Sequence, residues 1–223
     1  MKYLKLTTII IALFMLGCAG NNKPKPPADS TKAPKLPEAS NAKNNDKKEI
    51  QSLIRNMLMI GESHWIDLVP LLTDSKDSLH VGFDLKKLKT NLEELKTTNY
   101  FSAEFIDNYN KIILTLDKEM KDRKFSPWST GELPPFNFAN DVDPWCDCQD
   151  VPYDKPTPWY LVEVGVINLN NEKGELYWKW GKLGVDVSQD WRDFRYKFKV
   201  KKEDGKWKIS YLQGFDFDDS IKI

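Results

Sequence analysis

The sequence is poor in the residues that most often carry enzymatic chemistry. It holds two histidines and three cysteines among 223 residues. His64 follows Ser63 and precedes Asp67, but no Gly-x-Ser-x-Gly turn is present, and triad members meet in space rather than in sequence. A glycine-rich phosphate loop, a dinucleotide fingerprint and kinase signatures are also missing. The sequence therefore carries no recognisable catalytic motif, and we expect no bound cofactor.

A hydrophobic run long enough to cross a membrane is missing as well. The apolar stretch at the amino terminus, residues 6–16, has 11 residues. At 1.5 Å per residue it covers about half of a hydrocarbon core of roughly 30 Å. Lys2 and Lys5 precede it, which is the order of a secretory signal. We therefore predict a leader peptide rather than a spanning helix.

A lipid attachment motif follows this stretch. The residues Met15-Leu16-Gly17-Cys18 resemble the lipobox of bacterial lipoproteins. The resemblance implies a signal peptide of residues 1–17, cleavage before Cys18, and diacylglycerol with palmitate-type acyl chains on that cysteine. The alternative is an ordinary signal peptide whose cysteine lies near the cleavage site by chance. In lipoproteins of enteric bacteria, Ala19 at the next position implies the outer membrane.

The next segment, residues 18–45, predicts a disordered tether. It is rich in proline, lysine and asparagine and contains no aromatic residue. Such a segment buries too little apolar surface to offset its ordering entropy. Residues 46–223 suffice for one globular domain. Because residues 50–223 carry 24 basic and 29 acidic groups, a net charge of −5, we expect no nucleic-acid partner.

Three amphipathic helices are predicted in the first half of this domain. Asp46 and Glu49 form a capping box before apolar residues that recur at helical spacing as far as Ile60. Asp84 is expected to cap a second helix with a single leucine stripe. The clearest helix covers residues 102–121. Its apolar face consists of Phe101, Phe105, Ile106, Tyr109, Ile112, Ile113, Leu116 and Met120.

Alternating patterns predict strands after about residue 150. The first two cover residues 159–169 and 175–183. Asp204-Gly205 indicates a two-residue hairpin turn, so paired residue numbers should sum to 409. This register pairs Val200 with Ile209, Phe198 with Tyr211, and Phe194 with Phe215. The other face carries a basic stripe that we expect to be solvated, namely Arg195, Lys197, Lys199 and Lys201.

Helices followed by long antiparallel strands predict an α+β fold, with N-terminal helices packed on a curved antiparallel sheet. Residues 46–217 resemble the nuclear transport factor 2-like cone, and more closely the bacterial lipoproteins and periplasmic proteins of undefined function within it. The resemblance is carried by Phe101 and Phe105, by the linker 141–150 with its Gln149-Asp150 pair, and by the hairpin 205–209. The Cys-x-Cys insertion departs from the usual pattern. This fold hosts both enzymes and binding domains.

The resemblance also suggests where a catalytic carboxylate would lie. Enzymes of the ketosteroid isomerase-like group place one at an apolar pocket as general base. Glu163 on the first long strand and Asp150 before it are the candidates here. Neither a second acid nor an oxyanion donor is recognisable. Five tryptophans either line a ligand cup or fill the core, namely Trp159, Trp178, Trp180, Trp191 and Trp207.

The linker contains the remaining candidate site residues. Residues 141–154 hold five aspartates and no basic residue. Carboxylate and backbone oxygens there could bind a hard cation such as Ca²⁺, although the EF-hand order is missing. The alternative is that the aspartates cap helices and turns. The cation candidates are Asp141, Asp143, Asp147 and Asp150.

Cys146 and Cys148 are the cysteines that remain once Cys18 is lipidated. Three interpretations stay open from the sequence. Outside the cytoplasm an even pair favours a disulfide, and the second interpretation is two thiols. A metal or redox pair is the third, although no further Cys or His lies nearby for a zinc site.

These features together predict a membrane-anchored lipoprotein of the bacterial cell envelope, with its domain in the periplasm or outside the cell. The preferred hypothesis is a non-catalytic domain that binds an unknown small molecule or envelope protein. The first alternative is a small cone-fold hydrolase or isomerase that uses Glu163 or Asp150. The second is an envelope scaffold or immunity-type protein.

Overall fold

A computed structural model describes residues 38–63, 66–153 and 158–223, and residues 37–223 form one compact unit. The α+β class is confirmed. The helices are α1 (Glu38–Glu62), α2 (Leu85–Thr98), α3 (Ala103–Lys121), α4 (Gln189–Asp193) and α5 (Phe217–Ser220). One antiparallel sheet contains β1 (Leu71–Asp74), β2 (Leu79–Phe83) and β3 (Trp128–Ser129). The other contains β4 (Val162–Leu169), β5 (Lys173–Trp180), β6 (Tyr196–Glu203) and β7 (Lys206–Leu212).

Within the described part of the chain, no helix combines the length and the apolar character that are needed to span a bilayer.

Helix α1 begins earlier than the sequence predicts. It starts at Glu38, so the predicted start at Asp46 is wrong, and residues 38–45 belong to the helix rather than to the tether. The Asp46 carboxylate does not cap the helix. It accepts hydrogen bonds from Trp207 Nε1 at 2.8 Å and Lys202 Nζ at 3.1 Å, both on the four-stranded sheet. This tertiary role leaves no local signal in the sequence.

The predicted cap of α2 at Asp84 is confirmed, and α3 begins with a cap at Ser102 that was not predicted. Asp84 Oδ1 accepts hydrogen bonds from the N–H groups of Lys86 at 2.9 Å and Lys87 at 3.0 Å. Ser102 Oγ accepts one from the Phe105 N–H at 3.3 Å. Such caps satisfy N–H groups that have no partner within the helix. The predicted apolar face of α3 is buried in the core.

The three-stranded sheet has no counterpart in the sequence predictions. Its strands contain only two to five residues, and most of β1 is exposed. Short strands that bury few side chains give no period-two signal.

The four-stranded sheet confirms part of the predicted register. Glu203 pairs with Lys206 and Val200 with Ile209, as the two-residue turn requires. A bulge then shifts the pairing, so that Phe198 lies opposite Leu212 and not Tyr211. The physical reason is burial, because the shift turns Leu212 into the core. Phe194 precedes β6 and Phe215 follows β7, so their predicted pairing is also wrong.

The first strand of this sheet also starts later than predicted. Residues Pro158–Leu161 form a 3-10 turn, and β4 begins only at Val162. Pro158 cannot donate to a strand ladder, which is consistent with a turn at this point.

Both edges of the four-stranded sheet are covered by polar contacts. At the β4 edge, Arg55 Nε and Nη2 donate to the Val162 carbonyl at 2.9 and 2.7 Å, and the Val164 N–H donates to Gln51 Oε1 at 3.1 Å. At the β7 edge, Ile209 exchanges backbone hydrogen bonds with Tyr100 and Ser102 at 2.8 and 2.9 Å. These contacts satisfy edge groups that would otherwise pair with another strand.

Aromatic side chains fill the inner face of the sheet. The fully buried residues include Trp178, Tyr196 and Phe198. Trp178 and Trp180 pack edge to face, with ring centroids 5.0 Å apart. Of the other tryptophans proposed for a ligand cup, Trp159 and Trp207 are buried in the same core and Trp191 packs against it. The tryptophans therefore serve as packing.

Candidate functional site

The candidate site is an apolar groove beside the loop that carries the aspartates and cysteines. Its volume is about 390 Å³, within the range of roughly 300–1,000 Å³ that is usual for small-molecule sites. Three segments form it: the end of α1, residues 66–69 and residues 139–145. The lining residues are Gly61, Ile66, Asp67, Leu68, Val69, Ala139, Val142, Asp143, Pro144 and Trp145.

One wall, residues 66–69, is held by buried polar contacts from two helices. Tyr109 on α3 donates its hydroxyl to the Leu68 carbonyl at 3.0 Å. Asn91 on α2 donates its amide to the Asp67 carbonyl at 2.7 Å. Burial raises the pKa of the Tyr109 hydroxyl, so it stays a donor at neutral pH. The wall is therefore positioned from both sides before any ligand binds.

The carboxylate of Asp67 is already engaged at the rim of the groove. It lies 2.5 Å from Lys87 Nζ and accepts a hydrogen bond from the Val69 N–H at 3.2 Å. Both side chains of the ion pair are nearly half exposed, so the pair is screened by water.

The opposite wall is a tight turn built around Asp143. Its Oδ1 accepts a hydrogen bond from the Trp145 N–H at 2.9 Å, and its carbonyl accepts from the N–H groups of Cys146 and Asp147 at 3.1 and 2.7 Å. Its own N–H donates to the Cys148 carbonyl at 3.1 Å. A disulfide joins Cys146 and Cys148, whose Cα atoms are 5.2 Å apart. Of the three interpretations of the cysteine pair, the structure therefore shows the disulfide.

Trp145 connects the turn to the core. Its ring lies among Phe101 and Phe215, with centroid distances of 5.6 and 4.9 Å. A Cβ atom at Gly61 would come within 3.1 Å of the Trp145 ring. Glycine at this position of α1 therefore allows the helix to pack closely on the indole.

The loop is fastened to the inner side of the four-stranded sheet. The buried Tyr196 hydroxyl donates to the Pro144 carbonyl at 2.7 Å and accepts from the Gly214 N–H at 3.0 Å. Gln213 Nε2 donates to Asp147 Oδ2 at 3.2 Å. Burial raises the pKa of Tyr196 well above its usual value. The loop and the sheet are thus joined by satisfied polar groups in a low-dielectric setting.

The aspartates proposed as cation ligands take part in hydrogen bonds within the protein. Asp143 and Asp147 act as described above, and Asp150 Oδ1 accepts a hydrogen bond from the Val151 N–H at 2.7 Å. Asp141 contributes its backbone carbonyl, which accepts from Gln149 Nε2 at 2.7 Å. In the described ranges, no group of three or more His, Cys, Asp or Glu side chains is placed to hold a metal ion.

The catalytic carboxylate candidates are not brought together. Glu163 lies on the outer face of β4, where its half-exposed side chain is 3.5 Å from Lys179 Nζ. An apolar pocket that could bury a general base is not formed there by its strand neighbours, since the inner residues of β4 point the other way. Asp150 is exposed and bonded within its own loop, so it does not fix the linker to the sheet. Asp147 makes that contact.

His64 and Cys18 lie outside the described residues, and so do residues 1–37 and 154–157. Nothing in the structure therefore bears on the lipid attachment or on a role for His64.

The wall formed by residues 66–69 is the part of the site that sequence reasoning missed. Ile66, Leu68 and Val69 lie between α1 and β1 without regular spacing. Their anchors, Tyr109 and Asn91, look like ordinary positions on helix faces. An irregular apolar segment between two predicted elements was the one available signal.

Comparison with known proteins returns no matching family model, no similar curated protein and no similar solved structure.

Proposed function

We propose that this protein is a lipid-anchored lipoprotein of the bacterial cell envelope whose domain binds a small, largely apolar ligand without chemical turnover. The observation that carries the binding role is the groove beside Trp145, because its two walls are fixed by hydrogen bonds and its lining is mostly apolar. Apolar sites with a few placed polar groups are typical of ligand recognition.

The aromatic packing on the inner face of the four-stranded sheet supports the groove as the place where the ligand binds. Trp178, Tyr196 and Phe198 are fully buried on the inner face of the sheet, so the protein's own side chains fill the space there. The carboxylates at the groove, Asp67 and Asp143, are committed to backbone N–H groups and, for Asp67, to Lys87. Because both carboxylates are engaged in this way, they agree with a site that binds its ligand without acid or base catalysis.

The anchorage and the fold family are further parts of the proposal. The motif Met15-Leu16-Gly17-Cys18 supports acylation of Cys18, and Ala19 supports the outer membrane, with the domain in the periplasm or outside the cell. The order of helices before a four-stranded antiparallel sheet supports a nuclear transport factor 2-like cone. Mass spectrometry of the native protein tests the anchor, since an unmodified thiol or an uncleaved leader would refute it.

Binding is tested with the neutral apolar dye N-phenylnaphthylamine, whose fluorescence rises in apolar surroundings. Val142→Trp places a large ring in the groove and is expected to weaken dye binding by at least about tenfold, the equivalent of 1.4 kcal/mol. Val166→Trp, the same change at an exposed position of β4, is the matched control. Circular dichroism verifies that both variants fold.

Two outcomes would contradict this proposal. If Val142→Trp and Val166→Trp bind the dye as the unmodified chain does, the groove is not the site. Turnover of a substrate class by the purified protein would contradict the absence of catalysis.

A further inference from the structure

We propose that the outer face of the four-stranded sheet docks on an anionic lipid bilayer, an inference that rests on the membrane anchorage proposed above. Side chains on alternate residues of β5 and β6 project to this face because side chains alternate along a strand. Three carboxylates on these strands, Glu163, Glu175 and Glu203, share the face with eight basic side chains. The basic residues are Lys173, Lys179, Arg195, Lys197, Lys199, Lys201, Lys206 and Lys208.

Several of these charges are not neutralised within the protein. Lys179 pairs with Glu163 at 3.5 Å, and Lys201 pairs with Glu203 at 3.3 Å and with Glu104 at 3.4 Å. By contrast, Lys173, Lys197 and Lys199 are exposed and form no ion pair with any residue in the described ranges. Their ammonium groups are free to meet an anionic surface.

The arrangement of the lysines favours a surface over a single small anion. Residues 197, 199 and 201 follow one strand, and at about 3.4 Å per residue they extend over about 14 Å. Lys173 lies beside Lys201 on the neighbouring strand. Lys173, Lys199 and Lys201 also line a polar depression of about 450 Å³, together with the carboxylates of Glu104 and Glu175, and it is large enough to take a head group. A row of this kind contacts several lipid phosphates at once.

Charge is also segregated across the sheet. The loop with the aspartates is fastened to Tyr196 and therefore lies on the inner side, opposite the lysines. Residues 50–223 have a net charge of −5, so the basic face stands out against an acidic domain. Near an anionic bilayer this asymmetry turns the lysines toward the lipid and the acidic loop away from it. In that orientation the apolar groove stays open to the aqueous side.

The test measures sedimentation with vesicles of phosphatidylcholine alone and of phosphatidylcholine with about one third phosphatidylglycerol. The protein is the chain from residue 18 with Cys18→Ser, which contains the whole compact unit and carries no lipid. We expect binding only to the anionic vesicles, and we expect it to weaken with added salt. Each lysine near an anionic surface contributes about fivefold, so K197Q/K199Q should weaken binding by about 25-fold.

The matched control is K86Q/K89Q, which removes two exposed lysines from α2 and leaves the sheet unchanged. Equal binding to neutral and anionic vesicles would overturn the proposal, and so would equal losses in the two double variants. Retention on dextran sulfate without vesicle binding would also overturn it and would assign the face to an acidic polysaccharide. A native protein without lipid on Cys18 would refute the anchorage alone, because this assay does not use the lipid.

Discussion

The two faces of the four-stranded sheet are built by the same strands from opposite kinds of side chain. On β6, Tyr196 and Phe198 are fully buried, whereas the residue that follows each of them, Lys197 and Lys199, is exposed. On β5, Trp178 is fully buried, and the next residue, Lys179, lies on the outer face. The side chains of the inner face thus stabilise the fold by close packing, whereas those of the outer face are available for recognition.

This contrast predicts where substitutions act. Changes on the inner face should lower the free energy of unfolding, because they remove close-packed atoms or satisfied buried polar groups. Changes on the outer face should alter binding to charged partners and leave stability nearly unchanged.

The largest effect is expected for Trp178→Ala. Removal of this fully buried ring should lower the free energy of unfolding by about 3–5 kcal/mol, because the lost contacts are not replaced. Urea denaturation measures the change. The adjacent outer-face variant Lys179→Ala loses one partly exposed ion pair and should cost less than about 1 kcal/mol. Similar losses in the two variants would remove the distinction between the faces.

A smaller effect is expected for Tyr196→Phe, which deletes one buried hydroxyl. The Pro144 carbonyl loses its donor and the Gly214 N–H loses its acceptor, so the cost should be about 1–3 kcal/mol at neutral pH. Tyr177→Phe is the matched control on the outer face. A loss at Tyr177 as large as that at Tyr196 would contradict the assignment.

The difference in stability between the unmodified chain and Tyr196→Phe should also depend on pH. Burial raises the pKa of Tyr196 above its unfolded value, so the folded state holds this proton more tightly. Its contribution is complete below about pH 10 and is lost as the pH rises above that value. The difference in stability between the unmodified chain and Tyr196→Phe should therefore shrink by about 1 kcal/mol between pH 8 and pH 11. A constant difference would show that the hydroxyl titrates normally.

The sequence predicted correctly those features of the fold that short stretches of the chain determine. The cap at Asp84 and the turn at Asp204-Gly205 are each decided by a few adjacent residues, and the structure confirms them. The capping box at Asp46 failed because that carboxylate bonds to Trp207, a residue far away in the sequence. The bulge after Ile209 likewise depends on the burial of Leu212, which a turn rule does not include.

The candidate site was harder to predict for the same reason. The loop around Asp143 could be found from its composition, but its partner wall could not. Leu68 becomes a wall residue only because Tyr109 and Asn91 hold its segment from two different helices. Glu163 shows a different kind of error, because it was predicted to lie at an apolar pocket. Val162 and Val164 are buried, so the alternation of side chains along β4 places Glu163 on the outer face.

The smallest effect on stability is expected for K197Q/K199Q, the double variant that should weaken vesicle binding most. The Lys197 side chain is exposed, and its backbone N–H still donates to Gln213 Oε1 at 3.1 Å after the substitution. The Lys199 ammonium lies 5.2 Å from the centre of the Tyr211 ring, and loss of this contact costs about 0.5 kcal/mol. Removal of two neighbouring positive charges lowers their mutual repulsion and offsets part of that cost. Urea denaturation should therefore give a free energy of unfolding within about 0.5 kcal/mol of the unmodified chain. A larger loss would mean that the outer face stabilises the fold, and the weaker vesicle binding would then follow from unfolding rather than from charge.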